Sequence, residues 1–254
     1  MTYATLRETH ASSLTRHPGQ RPDELDWRLA GELKAIYSRV GKEPAPRRIL
    51  RAETMANYGI VGDRHACPHS PRQLLIAGDP AYQQFELPEA ALRENVRVSF
   101  STLDLRSGDL LRIGPDVVLW LTFHCEPCSL LERRCPGTIK SIGHHRGMLA
   151  RVLRGGTFTA RDEVFIARSS IPAMSNDWQV RVRGVANAVP DGHYIIYRQL
   201  AEMAGVANAY CRAFPKVLSK LPPDVAGRVR GGASSLPGPQ WTGAELYDVS
   251  EHFA

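Results

Sequence analysis

The sequence lacks any long hydrophobic run. No stretch of about 18 consecutive apolar residues occurs among its 254 residues, so a membrane-spanning helix is not expected. Residues 1–27 also lack the apolar segment that forms the core of a secretory signal peptide. We therefore expect a cytoplasmic protein that does not enter a membrane.

The sequence contains only five cysteines, which is an odd number. Without an export signal, five cysteines indicate a reducing compartment and thiol chemistry or burial rather than a disulfide framework. A hydrophobic content of 43% and a charged content of 23% are typical of a globular protein with a packed core. The net charge of +6 favours an anionic partner, such as a phosphorylated cofactor or nucleic acid.

Short apolar runs dominate the first two thirds of the chain. Residues 1–30 are polar and contain a Pro-Gly pair, which predicts a flexible arm. Residues 31–170 then carry closely spaced runs bounded by turn residues, which favours a barrel-like β domain. The predicted strands are LKAIYSRV (33–40), RQLLIAG (72–78), NVRVSF (95–100), LLRIG (110–114), VVLWLTF (117–123), ARVLRGG (150–156) and DEVFIA (162–167).

The periodicity becomes helical towards the C-terminus. Val182, Val185 and Val189 would share one helical face, and YRQLAEMAG (197–205) would end at Gly205 as a cap. A further helix is predicted over 208–221, with Pro215 near its start or at a kink. Residues 178–254 are therefore predicted to form a small α-rich domain, with a possible short strand pair in its tail.

A cysteine-rich segment, TFHCEPCSLLERRCPG, follows the most hydrophobic strand. Cys128 should lie just past that strand, at the barrel mouth, where ligands usually bind. Basic neighbours would favour its thiolate. Three alternatives stay open: a buried structural cysteine, a Cys125–Cys128 dithiol pair outside the usual thioredoxin setting, or a zinc site lacking a regular second ligand pair. The zinc ligands would come from Cys125, Cys128, Cys135, His144 and His145.

Seven segments in order resemble the MOSC domain, found at the C-terminus of molybdenum-cofactor sulfurases and in small bacterial proteins. The resemblance spans roughly residues 35–168 and implies a β barrel that handles sulfur or a molybdenum-pterin cofactor. The segments are GIVGDRHA (59–66), RQLLIA (72–77), LRENVRVS (92–99), GDLLRIG (108–114), CEPCSLL (125–131), RGMLARVLRGG (146–156) and DEVFI (162–166).

The resemblance also implies a site. Cys128 takes the position of the cysteine that carries sulfur or binds molybdenum, with Cys125 as a second reactive thiol. The implied cofactor-binding residues are Gly62, Asp63, Arg64, His65, Arg72, Arg93, Glu94 and Asn95, whose side chains include donors suited to a pterin and its phosphate. Alternatively, Gly62 and Asp63 form a simple turn and Arg64 is solvated.

The 254 residues show no pyridoxal-phosphate sulfurase domain and no second barrel of the kind often fused to this family. We therefore expect a separate sulfur donor or cofactor-delivery protein to supply Cys128.

A second resemblance lies at VPDGHYIIYRQLAEMAGVANAYCRAFPKVLSKLP (189–222), which is similar to the winged-helix domain of alkylguanine-DNA alkyltransferases and alkyltransferase-like proteins. It implies DNA binding, with Tyr197 rotating the target nucleotide and Arg212 replacing the extruded base. Arg198 stands where that family has glycine. The Pro-Cys-His-Arg acceptor motif is missing, so a suicide alkyltransferase is excluded.

The charge of this region agrees with DNA binding. Between Arg181 and Arg230 there are eight Lys or Arg against three Asp or Glu. On one helix, Arg212, Lys216 and Lys220 would share a face suited to phosphates. A solvated basic face or a protein-contact surface is the alternative.

The sequence thus predicts a MOSC barrel using Cys128 as a persulfide carrier or molybdenum ligand. A C-terminal domain would target it to nucleic acid or modified bases. The alternative is a non-enzymatic binder of modified or damaged DNA with an inert barrel.

Overall fold

The computed structural model describes residues 24–41, 45–168, 170–232 and 238–249. Residues 1–23, most of the predicted arm of residues 1–30, lie outside these ranges. The first strand begins at Arg28, so the end predicted for the arm is wrong. Arg28 and Leu29 belong to the barrel because they pair with the strand Glu163–Ala167.

Thirteen strands occur in the described ranges. They are β1 (Arg28–Ser38), β2 (Arg47–Ile49), β3 (Arg51–Met55), β4 (Gly59–Ile60), β5 (Leu74–Gly78), β6 (Val96–Val98), β7 (Leu110–Ile113), β8 (Val117–His124), β9 (Met148–Arg154), β10 (Gly156–Thr159), β11 (Glu163–Ala167), β12 (Ile195–Ile196) and β13 (Val229–Arg230).

Seven of these strands form a closed barrel, which confirms the predicted barrel-like fold. The order is β11-β7-β8-β9-β5-β6-β1, and β1 pairs with β11 to close the ring. All pairs are antiparallel except β5 with β6, which are parallel. β2 extends the sheet beside β1. The strands β10, β3 and β4 form a separate three-stranded sheet.

The hydrophobic strand β8 is buried on both faces. Val117, Leu119 and Leu121 point into the barrel core, since alternate residues of a strand face the same side. Val118 and Trp120 face outward and pack in a second cluster that includes Tyr247 near the C-terminus. The apolar outer face of β8 is therefore covered by the end of the described chain.

Helices connect the barrel strands and dominate the C-terminal region. α1 (Asp79–Gln84), α2 (Ser129–Arg134) and two 3₁₀ helices (Thr138–Lys140 and Gly143–Arg146) belong to the barrel part. The C-terminal region contains α3 (Trp178–Ala188), α4 (Tyr197–Met203), a 3₁₀ helix (Asn208–Ala213), α5 (Phe214–Leu218) and α6 (Pro223–Gly227), with β12 and β13 pairing in parallel.

The C-terminal helices agree only partly with their predicted bounds. α3 begins after Asp177, whose Oδ1 accepts a hydrogen bond from Gln179 N at 2.8 Å. Gly205 follows α4 with a left-handed φ of +63°, as predicted for its cap. The single helix predicted over 208–221 is wrong. Pro215 lies in the first turn of α5, because a proline lacks the N–H that a continuing helix would need.

The helical region packs on the barrel through buried polar and aromatic side chains. The Arg181 guanidinium lies 3.6 Å from the ring centre of Phe123, and its Nε donates to Ala204 O at 2.9 Å. The Tyr247 ring lies 4.5 Å from the Arg151 guanidinium, and its hydroxyl donates to Met203 O. Across the described ranges no helix is long and apolar enough to cross a bilayer.

Candidate functional site

The segment that leaves β8 carries the predicted reactive cysteines. Cys125 is buried, and its N–H donates to Gly147 O at 2.9 Å, which fixes the segment against β9. Cys128 precedes α2 and is exposed. Its carbonyl accepts hydrogen bonds from Leu131 N and Glu132 N at 2.9 and 3.2 Å. The backbone at Cys128 is therefore held while its thiol faces outward.

The other cysteines lie in less accessible surroundings. Cys135 is buried, while Cys67 and Cys211 are half-buried. Burial and a hydrogen bond to Glu202 raise the pKa of Cys67 to about 11. Burial also raises the pKa of Cys211. All five thiols are free, and the described residues contain no group of three or more potential ligands suited to a metal ion.

A buried polar group lies beside α2. The Tyr82 hydroxyl donates to Glu94 Oε1 at 2.5 Å, and burial raises the pKa of Glu94. Glu94 Oε2, Arg146 Nε and Arg146 Nη1 are buried without a hydrogen-bond partner in the protein. Tyr82 packs in the same cluster as Leu131 and Cys135 of the α2 segment. Buried polar atoms without partners require a ligand or water.

Asp63 and Asn95 meet, but in a structural network. Asp63 is buried and accepts hydrogen bonds from Arg39 N and His65 N, both at 2.8 Å. The Asn95 amide donates to Asp63 Oδ2 at 3.1 Å, while its oxygen accepts from Leu75 N. These bonds tie β1, β5 and the segment around Gly62 together. The two side chains thus stabilise the packing of these segments against one another.

The remaining cofactor-binding candidates are partly cationic and exposed. Gly62 occupies a turn with φ +80°, and Arg64 is exposed. Arg39 Nη2 lies 3.1 Å from His65 Nε2, and positive charge from Arg64 lowers the pKa of Arg39 after the larger effect of burial. Arg72 Nη1 donates to Gly205 O at 3.3 Å, so this arginine bridges to the C-terminal region.

Two further candidates for cofactor binding directly precede Asn95 in the sequence. Arg93 is half-buried and has a left-handed φ of +57°. Glu94 is fully buried in the Tyr82 group and therefore faces away from the Asp63 network.

Part of the barrel also matches a known family. Residues 70–165 match the family model described as the MOSC domain. The chain is similar to the MOSC family over this range, which is less than half of its length. The predicted Cys125, Cys128, Glu94 and Asn95 lie inside the matched range, whereas residues 62–65 precede it.

Solved structures include similar chains. YuaD from Bacillus subtilis is 17% identical with a TM-score of 0.48, over 55% of this chain and 97% of that one. YiiM from Escherichia coli is 19% identical with a TM-score of 0.43, over 79% and 99%. YiiM from Geobacillus stearothermophilus is 14% identical with a TM-score of 0.44, over 75% and 98%. No curated protein sequence matches the chain.

Two histidines lie beside the cysteine segment of the MOSC domain. The His124 and His144 rings stack at 3.9 Å between centroids with an interplanar angle of 12°. Burial, and next the neighbouring His144, lower the pKa of His124 to about 4. Its Nδ1 is buried without a hydrogen-bond partner. His124 is therefore neutral near pH 7.

The predicted nucleic-acid residues fall into two classes. Tyr197 is half-buried, and its ring packs edge-on against Phe214 with centroids 5.5 Å apart. Arg212 and Lys216 are exposed. Arg212 lies on the 3₁₀ helix and Lys216 on α5, while Lys220 follows the end of α5. These basic residues therefore do not share one helix, contrary to the prediction.

The C-terminal region also contacts the segment that carries the cysteines. The Tyr210 hydroxyl donates to Glu126 Oε2 at 3.2 Å, and His124 N donates to Asn176 Oδ1 at 2.9 Å. Arg146, Tyr82 and Tyr210 were not predicted as site residues. Arg146 opens the segment RGMLARVLRGG, but nothing in the sequence indicated that its guanidinium would be buried.

Proposed function

We propose that this MOSC protein uses the Cys128 thiolate to carry sulfur or to bind a molybdenum-pterin cofactor, and that its C-terminal region directs it to nucleic acid. The observation that carries the proposal is the exposure of Cys128. Of the five cysteines it alone is exposed, and it lies inside the range matched to the MOSC domain.

In sulfur transfer, the Cys128 thiolate attacks the outer sulfur of a donor persulfide. The donor S–S bond breaks, the donor leaves as a thiol, and Cys128 holds the outer sulfur as a persulfide. An acceptor nucleophile then takes that sulfur and regenerates the Cys128 thiolate. No net oxidation or reduction occurs, and a separate protein supplies the donor persulfide.

The residues present also suit a molybdenum-pterin. An exposed thiol is the soft ligand that such a metal takes, and the partnerless atoms of Glu94 and Arg146 offer an acceptor and donors for a polar ligand. Three arginines, Arg39, Arg64 and Arg72, place positive charge near His65, next to the Asp63 carboxylate, and their guanidinium groups suit a phosphate. When bound, the cofactor would supply oxidation–reduction chemistry for a small substrate or a modified base.

Within that proposal, the predicted binding residues divide by role. Arg64 and Arg146 would contact the cofactor, and Cys128 would hold its metal. Asp63 and Asn95 would shape the site from behind, because their polar atoms already bond within the protein. Arg72 would link the site to the C-terminal region through Gly205.

The nucleic-acid half of the proposal rests on exposed cations. Arg212 and Lys216 are exposed, and the region from Arg181 to Arg230 has an excess of basic residues. A second candidate function is a non-enzymatic binder of modified or damaged DNA, in which Cys128 is inert. It is favoured by two cavities of about 480 and 240 Å³ that are lined by C-terminal residues rather than by Cys128.

Native mass spectrometry of the protein as purified tests the proposal. We expect added mass equal to a sulfur atom or a molybdenum-pterin on the wild type and its loss in Cys128→Ala. Cys211→Ala is the matched control and should keep the adduct. An unmodified mass in all three proteins, under conditions that preserve labile sulfur and cofactor, would favour the inert-barrel binder.

A further inference from the structure

A small cavity lies between α3 and α5, and none of its lining residues belongs to the groups discussed for sulfur or cofactor chemistry. Its volume is about 240 Å³. Its wall combines one aromatic ring, one carboxamide and two ammonium groups with small apolar side chains. The lining residues are Trp178, Gln179, Ala213, Lys216, Val217 and Lys220.

The polar groups of this cavity are not used within the protein. Neither Lys216 nor Lys220 forms an ion pair with the carboxylates of the described residues, and both side chains are exposed. Among the described residues the Gln179 carboxamide makes no side-chain hydrogen bond either, and its backbone N–H donates to Asp177 Oδ1. Donors and acceptors therefore remain available to a ligand.

The aromatic wall is held in place from behind. Trp178 is half-buried, and Tyr210 meets it edge-on with centroids 4.8 Å apart and planes at 71°. The Tyr210 hydroxyl in turn donates to Glu126 Oε2. The indole is thus fixed by a chain of contacts that ends in the segment between Cys125 and Cys128.

We infer that this cavity binds one nucleotide unit, with the base against Trp178 and the phosphate on Lys216 and Lys220. A flat ring beside an indole gains stacking energy, and two unpaired ammonium groups match a phosphate. Gln179 can donate to and accept from the edge of a base. The inference deepens the nucleic-acid half of the proposed function, because it names residues that would receive a nucleotide close to the Cys128 segment.

Binding of a short fluorescein-labelled oligothymidylate to the full chain tests the inference, measured by anisotropy at low salt. Lys216→Gln/Lys220→Gln should raise Kd about tenfold and reduce the slope of log K against log salt by about 0.7, since the contact with one phosphate is lost. Trp178→Leu should raise Kd by a similar factor, about tenfold, without changing the salt slope.

The matched control is Lys140→Gln/Arg106→Gln, which removes two exposed cations elsewhere. It should leave Kd within about twofold of the wild type. Equal weakening by both double variants would overturn the site, because it would show attraction by net charge alone. No binding by the wild type at low salt would overturn it as well. Unchanged circular dichroism and unfolding midpoints check that the variants fold.

Competition with unlabelled thymidine monophosphate identifies the source of the nucleotide. Displacement that depends on Trp178 indicates a free nucleotide, whereas binding of the oligonucleotide alone indicates a strand. The same titration on Cys128→Ser separates this inference from the cysteine chemistry. Binding there, with no sulfur or molybdenum adduct on the wild type, would leave the cavity assigned and the cysteine proposal refuted.

Discussion

At the scale of single residues, the cysteines differ in burial and should differ in reactivity. Raising the pKa of Cys67 to about 11 makes its thiolate roughly a hundredfold scarcer than that of an ordinary thiol. We expect iodoacetamide at pH 8 to modify the exposed Cys128 at least about tenfold faster than the half-buried Cys67 and Cys211, when each site is followed by peptide mass spectrometry.

Cys128→Ser is the control for that experiment and should remove the fast phase alone. Equal, slow labelling of Cys67, Cys128 and Cys211 would contradict a working thiolate. It would favour the alternative hypothesis, a non-enzymatic binder of modified or damaged DNA in which Cys128 is inert.

His124 should make the free energy of unfolding depend on pH. Its pKa is about 4 in the folded protein, against roughly 6.5 in an unfolded chain. Between these values the unfolded chain binds more protons, so stability is full above about pH 6.5 and falls as pH drops. The ring is only half-buried, so solvent screening reduces the effect, and the loss should reach about 1–2 kcal/mol near pH 4 and then stop.

Urea unfolding of the wild type and His124→Gln at several pH values between 4 and 7.5 measures this contribution. The excess in free energy of unfolding of the wild type over His124→Gln should shrink or reverse as pH falls. All other titrating groups are present in both proteins, so their contributions cancel in this difference. His193→Gln is the control and should follow the wild type. A pH-independent difference for His124→Gln would refute the assignment.

Sequence reasoning placed Cys128 better than it placed the residues around it. A cysteine just past a hydrophobic strand was expected at a barrel end, and Cys128 is indeed exposed after β8. The sequence showed Asp63 and Asn95 as polar residues but not their partners, so it could not reveal that they bond to each other. Arg146 was missed because burial of an arginine depends on the whole fold.

At the scale of elements, the turn after α4 sets how the helical region meets the barrel. Gly205 has a φ of +63°, and a Cβ there would lie 2.7 Å from both Phe123 and Pro71. We expect Gly205→Ala to lower the free energy of unfolding by about 2 kcal/mol or more, through backbone strain and overpacking together. Urea unfolding monitored by circular dichroism measures the change.

Gly184→Ala provides the opposite case within α3. No atom lies within 4 Å of a Cβ placed at Gly184, and the residue is inside the helix. Alanine should therefore stabilise the protein by about 0.5–1 kcal/mol. Equal changes in the free energy of unfolding for the two substitutions would show that Gly205→Ala does not act through the contact of Gly205 with the barrel.

The elements themselves were predicted where a strong pattern existed. The barrel strands were found because each is a short apolar run bounded by turn residues. β3 and β10 were missed because neither RAETM nor GTFT contains an apolar run, although β3 alternates buried and exposed positions. The helix predicted over 208–221 was too long, because the regular spacing of its basic residues was taken to continue one helix through Pro215.

At the scale of the whole molecule, Tyr247 joins the two parts of the chain. Its ring meets Trp120 on the outer face of β8 with centroids 6.1 Å apart, and it lies over the buried Arg151. Its hydroxyl donates to Met203 O at the end of α4. One side chain therefore closes the barrel surface and fixes the helical region, which predicts that both parts unfold together.

Tyr247→Ala should lower the free energy of unfolding by about 3 kcal/mol, because a buried aromatic ring is removed and Trp120 and Arg151 lose their cover. Tryptophan fluorescence comes from Trp27 and Trp120 on the barrel and from Trp178 and Trp241 in the helical region. It should shift in urea by the same amount as far-ultraviolet circular dichroism, which the helices dominate. Tyr58→Ala, at a side chain that is 37% exposed, should change stability by less than about 0.5 kcal/mol. Separate fluorescence and circular dichroism transitions in the wild type would instead mean that the helical region unfolds on its own. A nucleotide bound between α3 and α5 would then influence Cys128 through local contacts such as Tyr210–Glu126 and Asn176–His124.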